Sequence, residues 1–187
     1  MSEQQGALPL WRLRLRNKVR VAAGNRVEAS AAARIRECYL VIKGSGNRLV
    51  IEPGANLRGV KLQLLGEGCE LHIGADTVIG AGCYLSSRGT ATRLIVGRDG
   101  MFSRQVKVMT GDGHDIVQEG RCINPPRSIT IGDHVWLADS VTVLKGVQVG
   151  DNAVAGNGSV VTRDVGAGTI VAGNPAREIK QNINWVR

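Results

Sequence analysis

Aromatic side chains are nearly missing from this sequence: three Trp, two Tyr and one Phe in 187 residues. A core without large rings has to be filled by many small aliphatic side chains, and 25 glycines imply a backbone that turns often. Repeat architectures meet both conditions. The rings that would stack on bases are scarce and no helix-turn-helix or zinc-finger spacing occurs, so nucleic acid is not the expected partner. No run of about 18 apolar residues is present to form a spanning helix. Met1 to Leu10 lacks the charged-then-apolar order of a secretory signal. The four cysteines, Cys38, Cys69, Cys83 and Cys122, have no CxxC spacing and read as free thiols in a reducing cytoplasm.

Charge is not scarce. With 24 Lys+Arg against 16 Asp+Glu the net charge is +8, which favours anionic partners. Coenzyme A, acidic glycans, nucleotide sugars and membrane surfaces all qualify.

The organising feature is a period of six. From Ile131 the chain reads IGDHVW, LADSVT, VLKGVQ, VGDNAV, AGNGSV, VTRDVG, AGTIVA. The first positions, Ile131, Leu137, Val143, Val149, Ala155, Val161 and Ala167, are all aliphatic, and the fifth positions are small or β-branched. A helix of 3.6 residues per turn cannot hold a strict six on one side. Three short strands separated by tight turns can, as a triangular coil built from three hexads. First positions then point inward and fifth positions fill corners, while Gly, Asp and Asn take the turns. Five openings align: LVIEPGA from Leu49, LHIGADT from Leu71, LIVGRDG from Leu94, ITIGDHV from Ile129 and VQVGDNA from Val147. The last two are three hexads apart, whereas the first three are spaced more widely than that, so the early coils carry small excursions. Such coils pair strand on strand with their neighbours. The reading is one domain over 1–187, with a partial coil at about 8–48, regular coils at about 49–172 and a C-terminal cap at 173–187.

An open stack needs covers. Asn174-Pro175-Ala176-Arg177-Glu178-Ile179-Lys180 reads as a short C-terminal helix, with Asn174 as cap and Pro175 at its first position. Ile179 and Ile183 would then lie over the last coil. At the other end Leu8 to Val21 alternates. Trp11, Leu13, Leu15, Val19 and Val21 fall on one side, and Arg12, Arg14, Arg16, Lys18 and Arg20 on the other. This reads as a first strand or partial coil with a solvated basic face. A second reading has that face dock on anionic lipid or a lipid-linked saccharide.

The grid also exposes an irregularity. Val96, Phe102 and Val108 start hexads, so the next start would be His114, yet the residues after it leave the grid until Ile129. The excursion spans 111–128. Loops on rigid scaffolds carry function disproportionately. The chain has three histidines. His72 lies between inward Leu71 and Ile73, and His134 takes a turn position, so both read as surface residues. His114 sits in Gly111-Asp112-Gly113-His114-Asp115 and reads either as a catalytic base or as an ordinary loop residue. Asp112 and Asp115 read either as hydrogen-bond partners that fix its tautomer or as turn formers.

Three segments together resemble the hexapeptide-repeat acyltransferases, in their sugar and polysaccharide O-acetyltransferase branch: GDGHDI, INPPRSITIGDHVWLADSVTVLKGVQVGDNAVAGNGSVVTRD and VAGNPAREIK. The likeness is strongest from Gly111 to Ile183. It implies an all-β fold, a left-handed parallel β-helix, which departs from the right-handed crossover rule. It implies a homotrimer with active sites between subunits, acetyl transfer from acetyl-CoA to a saccharide acceptor, and His114 as general base. Neither a protein nucleophile nor a metal is needed. The positions matching the acetyl-CoA groove are Trp136, Ala138, Asn157, Thr162, Arg177 and Lys180, and the last two suit phosphates. Family members often carry Gly at the place of Ala138 and a small uncharged residue at that of Asp139. A carboxylate there would not welcome a phosphate, so Asp139 is expected to point away or to meet the pantetheine amides.

Other acceptors remain open: an amino sugar, serine or a small xenobiotic. A metal-dependent carbonic anhydrase of the same architecture would need three converging histidines, and these three lie on unrelated hexad phases. A silent scaffold would have no use for both the His114 lip and the NPAREIK tail.

Overall fold

A computed structural model describes residues 6–187. The reading of a missing secretory signal therefore lies partly outside the described residues. The chain is a parallel β-solenoid with three faces. The first face stacks the strands Lys18–Val21, Tyr39–Ser45, Lys61–Glu67, Tyr84–Thr90, Lys107–Met109, Thr142–Val143 and Val160–Val161. The second runs from Arg26–Ala29 through Arg48–Ile51, Glu70–Ile73, Arg93–Val96 and Ile129–Ile131 to Gln148–Val149. The third begins at Arg34–Arg36 and passes through Met101–Phe102, Trp136–Leu137 and Val154–Ala155 to Ile170–Gly173 and Ala176–Lys180.

The inward residues form columns of Leu, Ile and Val with almost no exposure, and Phe102 is the largest of the fully buried side chains. Every corner must bend the chain sharply from one face to the next within a short stretch. Asp76, Asp99, His134 and Asn152 occupy one stacked corner at φ between +52° and +58°, where short polar side chains are tolerated.

The hexad grid holds through Val161 and then slips. Val165 pairs with Val149, and Val171 with Ala155, so each arrives before three full hexads have passed. Val165 therefore takes the inward place expected of Ala167, which is exposed, and Thr169 fills the corner. The last coil is thus shorter than the coils before it. Val165 and Val171 fit equally as fifth or first positions, which is why spacing alone could not detect the slip.

The excess residues of the early coils have a definite place. Tyr39–Ser45, Lys61–Glu67 and Tyr84–Thr90 each run seven residues and extend past the corner as a flange. Gly44, Gly66 and Gly89 stack through it. A Cβ on Gly66 would lie 1.9 Å from the Gly89 carbonyl oxygen, so only glycine permits this approach. Asn47, fully buried beneath it, accepts from the Cys69 amide at 2.8 Å and donates to the Gly66 carbonyl at 2.9 Å.

Both covers differ from expectation. Leu10–Arg16 is a helix, α1, and not a strand. Leu and Arg are strong helix formers, which outweighs a brief alternation. Leu13 turns into the base of the core, while Trp11 and Leu15 stay exposed. Asn17 closes the helix by donating to the Leu13 carbonyl at 2.9 Å. At the far end no helix follows Asn174. Ala176–Lys180 folds back as a strand antiparallel to Ile170–Gly173, with Asn174 and Pro175 in the turn. Ile170–Gly173 would otherwise end the stack with unpaired backbone groups, and the hairpin satisfies them. Ile179 is exposed and does not cover the last coil.

Candidate active site

The excursion leaves the first face at Thr110 and rejoins the second at Ile129. Its base is closed by the Arg127 amide donating to the Thr110 carbonyl at 2.8 Å. Thr110 is itself fully buried and accepts from the Arg88 amide at 2.9 Å, so the loop is fastened to the flange. Pro126 packs over Gly89, where a Cβ would lie 2.8 Å from its ring. The outer part is a small hairpin, Val117–Gln118 against Arg121–Cys122.

Asn124 organises the interior. Its Nδ2 donates to the His114 carbonyl at 2.9 Å and to Asp112 Oδ2 at 2.8 Å. Its Oδ1 accepts from the Ile116 amide at 2.6 Å. Lys145, one coil on, donates to the Asn124 carbonyl at 2.7 Å and forms an ion pair with Asp112. Lys145 and Asn124 hold the Asp112 carboxyl below the usual carboxylate range. Asp112 thus braces the loop, and Asp115 follows His114 on the exposed lip. Together Asp112, Gly113, His114, Asp115, Asn124 and Pro126 wall a cavity of about 350 Å³ floored by Leu65, Arg88 and Gly89. Arg88 is held in place by donating to the Tyr84 hydroxyl at 2.9 Å. An exposed imidazole thus stands at the rim of a polar hollow with a guanidinium in its floor.

A family model described as bacterial transferase hexapeptide (six repeats) matches residues 128–163. The polysialic acid O-acetyltransferase of Escherichia coli O1:K1 / APEC is 35% identical over 123 residues, covering 65% of this chain and 39% of that protein. The crystal structure of the polySia specific acetyltransferase NeuO is 32% identical with a TM-score of 0.82, covering 87% of this chain and 74% of that one. The chain belongs to the hexapeptide-repeat acyltransferase family. The acetyltransferase VCA0836 from Vibrio cholerae O1 biovar eltor, complexed with acetyl coenzyme A, shares the fold at 24% identity and a TM-score of 0.52, covering 63% of this chain and 64% of that one. The chain spans about two fifths of the length of its polysialic acid relative.

The positions matched to the family's acetyl-CoA groove fall into two groups. Trp136, Ala138 and Asn157 lie on the third face or the turn after it, and Arg177 and Lys180 lie on the added strand of that face. Thr162 lies at the corner between the first and second faces, the corner from which the His114 loop springs. One chain therefore keeps His114 apart from most of these positions. Trp136 is partly exposed and donates through Nε1 to the Ser103 hydroxyl at 3.2 Å. Asp139 is engaged within the chain by Arg104, through the backbone amide at 2.8 Å and the guanidinium at 3.0 Å. Both contacts hold its carboxyl below the ordinary range.

His72 faces outward as expected, 2.8 Å from Glu52 Oε1. His134 is more than a turn residue. Its Nδ1 lies 2.6 Å from Asp99 Oδ2, its Nε2 lies 2.9 Å from the Trp185 carbonyl, and Trp185 Nε1 donates back to the His134 carbonyl at 2.7 Å. The aligned openings carried the signal: a histidine stands where the other coils place Gly54, Asp76, Asp99 and Asn152. Arg88, Asn124 and Lys145 were not legible in the sequence. They come from three separate stretches of chain, at spacings from His114 that share no period.

Proposed function

We propose that this protein is an acetyl-CoA-dependent O-acetyltransferase that acylates a hydroxyl of a saccharide by direct transfer, with His114 as general base. The observation that supports it most is the closed loop that stands His114 over the Arg88-floored cavity. In this reading the imidazole takes the proton of the acceptor hydroxyl as its oxygen attacks the thioester carbonyl. The C–S bond then breaks, and the imidazolium returns the proton to the departing thiolate. Asp112, Asn124 and Lys145 position the loop, and Asp115 is the remaining carboxylate placed to orient the ring. Trp136, Ala138, Asn157, Thr162, Arg177 and Lys180 would hold acetyl-CoA.

The working unit is a homotrimer, because His114 and most of the groove lie on different sides of one prism. Ile116, Val117 and Ile123 are exposed on the loop hairpin and offer an apolar contact for a second copy. Among the described residues no helix is long and apolar enough to cross a membrane. The proposed setting is the cytoplasm, with peripheral contact to an anionic membrane through α1 as a further point to test with vesicles. The test of the chemistry is thiol release from acetyl-CoA across neutral sugars, acidic glycan oligomers, amino sugars and serine, with His114→Ala in parallel. Activity on a saccharide class that falls about 10²- to 10⁴-fold in the variant supports the reading. Turnover indifferent to the substitution removes His114 as base.

A further inference from the structure

The outward side of the first face carries a ladder. The register pairs Lys18 with Tyr39, Tyr39 with Lys61, Lys61 with Tyr84 and Tyr84 with Lys107. Cation and aromatic alternate over four coil steps, about 19 Å at the spacing of stacked strands. Lys61 Nζ sits 4.9 Å from the centre of the Tyr84 ring. Arg20, Lys43 and Arg88 flank the ladder on the same strands.

The second face shows how unusual this is. There Arg48 bridges Glu28 and Glu70, and Arg93 also pairs with Glu70. On the first face, among the described residues, no ladder cation pairs with a carboxylate. The nearby acids are Glu67, which accepts from the Ser45 hydroxyl, and Glu37, which pairs with Arg58. The ladder also connects two hollows. At its base lies a cavity of about 690 Å³ lined by Arg14, Arg16, Lys18, Arg20 and Tyr39 among others. At its top the Tyr84 hydroxyl accepts from Arg88, which floors the His114 cavity.

We infer that the first face is a binding track for an extended glycan bearing carboxylates on its sugars, feeding successive hydroxyls to His114. The inference rests on the acyl-transfer reading above. Lysines on alternate coils are about 10 Å apart, far sparser than the roughly 3.4 Å between charges of a nucleic-acid strand. They suit a chain charged once every sugar or two. Tyr39 between them offers an apolar ring face to sugar C–H groups and a hydroxyl to their edges. The Tyr84 hydroxyl donates to Gln63 Oε1 at 2.6 Å and accepts from Arg88 at 2.9 Å, which fixes its ring in the ladder.

The test compares a carboxylated oligosaccharide long enough to span the ladder with its carboxyl-reduced counterpart, by calorimetry without acetyl-CoA and by thiol release with it. The carboxylated form is expected to bind preferentially, and less tightly as salt rises. Lys61→Glu with Lys107→Glu should weaken it about tenfold or more, the loss appearing in KM for the glycan and not in kcat. The same charge change on the second face, Arg26→Glu with Arg93→Glu, should leave glycan affinity at the wild-type value. Equal affinity for the reduced form, or indifference to the first-face reversals, overturns the track. Tighter, reversal-sensitive binding of RNA or anionic vesicles does so as well. Glycan binding lost in the first-face variant without any acetyl transfer would keep the track and remove the acyltransferase reading. Transfer to glycan that ignores the reversals would do the opposite.

Discussion

The imidazole of His134 lies flat on the indole of Trp185, with ring centroids 4.1 Å apart and planes 9° from parallel. The two are far apart in sequence, so this stack fixes the chain end against the side of the prism. Both ring nitrogens face acceptors, the Trp185 carbonyl and the Asp99 carboxylate, and a ring that satisfies both must be doubly protonated. The Trp185 carbonyl, together with Asp99, raises the His134 pKa above its ordinary value. The docking energy is therefore fully present below the unfolded pKa of about 6.5 and is lost as pH rises through the raised folded value. The protection of amides 183–187, relative to their intrinsic base-catalysed exchange, should fall across that interval, and His134→Ala should abolish this fall. Protection that does not change with pH in the wild type would remove the clamp.

Asn124→Ala removes the donors and acceptor that tie His114, Asp112 and Ile116 together. A misplaced base costs about 100-fold in rate. That loss should appear in kcat/KM while the melting temperature moves little, since the loop is mostly exposed. Hydrogen exchange should localise the loosening to 112–124. Unchanged kinetics would show that the loop is positioned by other means.

Gly66→Ala tests the flange. The new methyl would meet the Gly89 carbonyl oxygen at 1.9 Å, at a φ of +148°. The cost should be about 2 kcal/mol or more, read as a lowered melting temperature. A variant as stable as the wild type would mean that the three-glycine stack can part.

Thiol chemistry should separate the cysteines. Burial pushes Cys83 up to about 11 and raises Cys38 as well, whereas Cys122 is exposed on the loop hairpin. Ellman's reagent at neutral pH should titrate one thiol per native chain and four after denaturation. Rapid labelling of more than one would mean that the coils open.

Val117→Asp places a charge in the apolar patch of the hairpin. If that patch seats a second copy, sedimentation should show a shift toward monomer, with acetyl transfer falling in parallel. An unaltered oligomer would exclude the hairpin as the contact.

The period of six made the solenoid legible because each inward column and each corner imposes its own residue type. Its limits follow from the same cause. Val165 and Val171 satisfy either role, so the shortened last coil was invisible. The alternation of Trp11, Leu13 and Leu15 with Arg12, Arg14 and Arg16 describes a strand as readily as a helix whose Leu13 plugs the base. Asn174-Pro175 suits a helix start and a hairpin turn alike, and the exposed edge of Ile170–Gly173 decides between them. His114 stood out because it breaks the grid. Arg88, Asn124 and Lys145 meet it only through the folding of a loop, and no period records that.

Solenoids have an intrinsic hazard, since the backbone of a terminal coil is a template on which another chain can add. Here the third face ends in a strand of reversed direction bearing Arg177, Glu178 and Lys180, and α1 with Leu13 closes the base. A parallel copy arriving at the edge of the third face meets the wrong polarity, and one arriving at the base meets a helix. At those two places the fold blocks the strand-on-strand addition by which a solenoid could grow end to end into fibres.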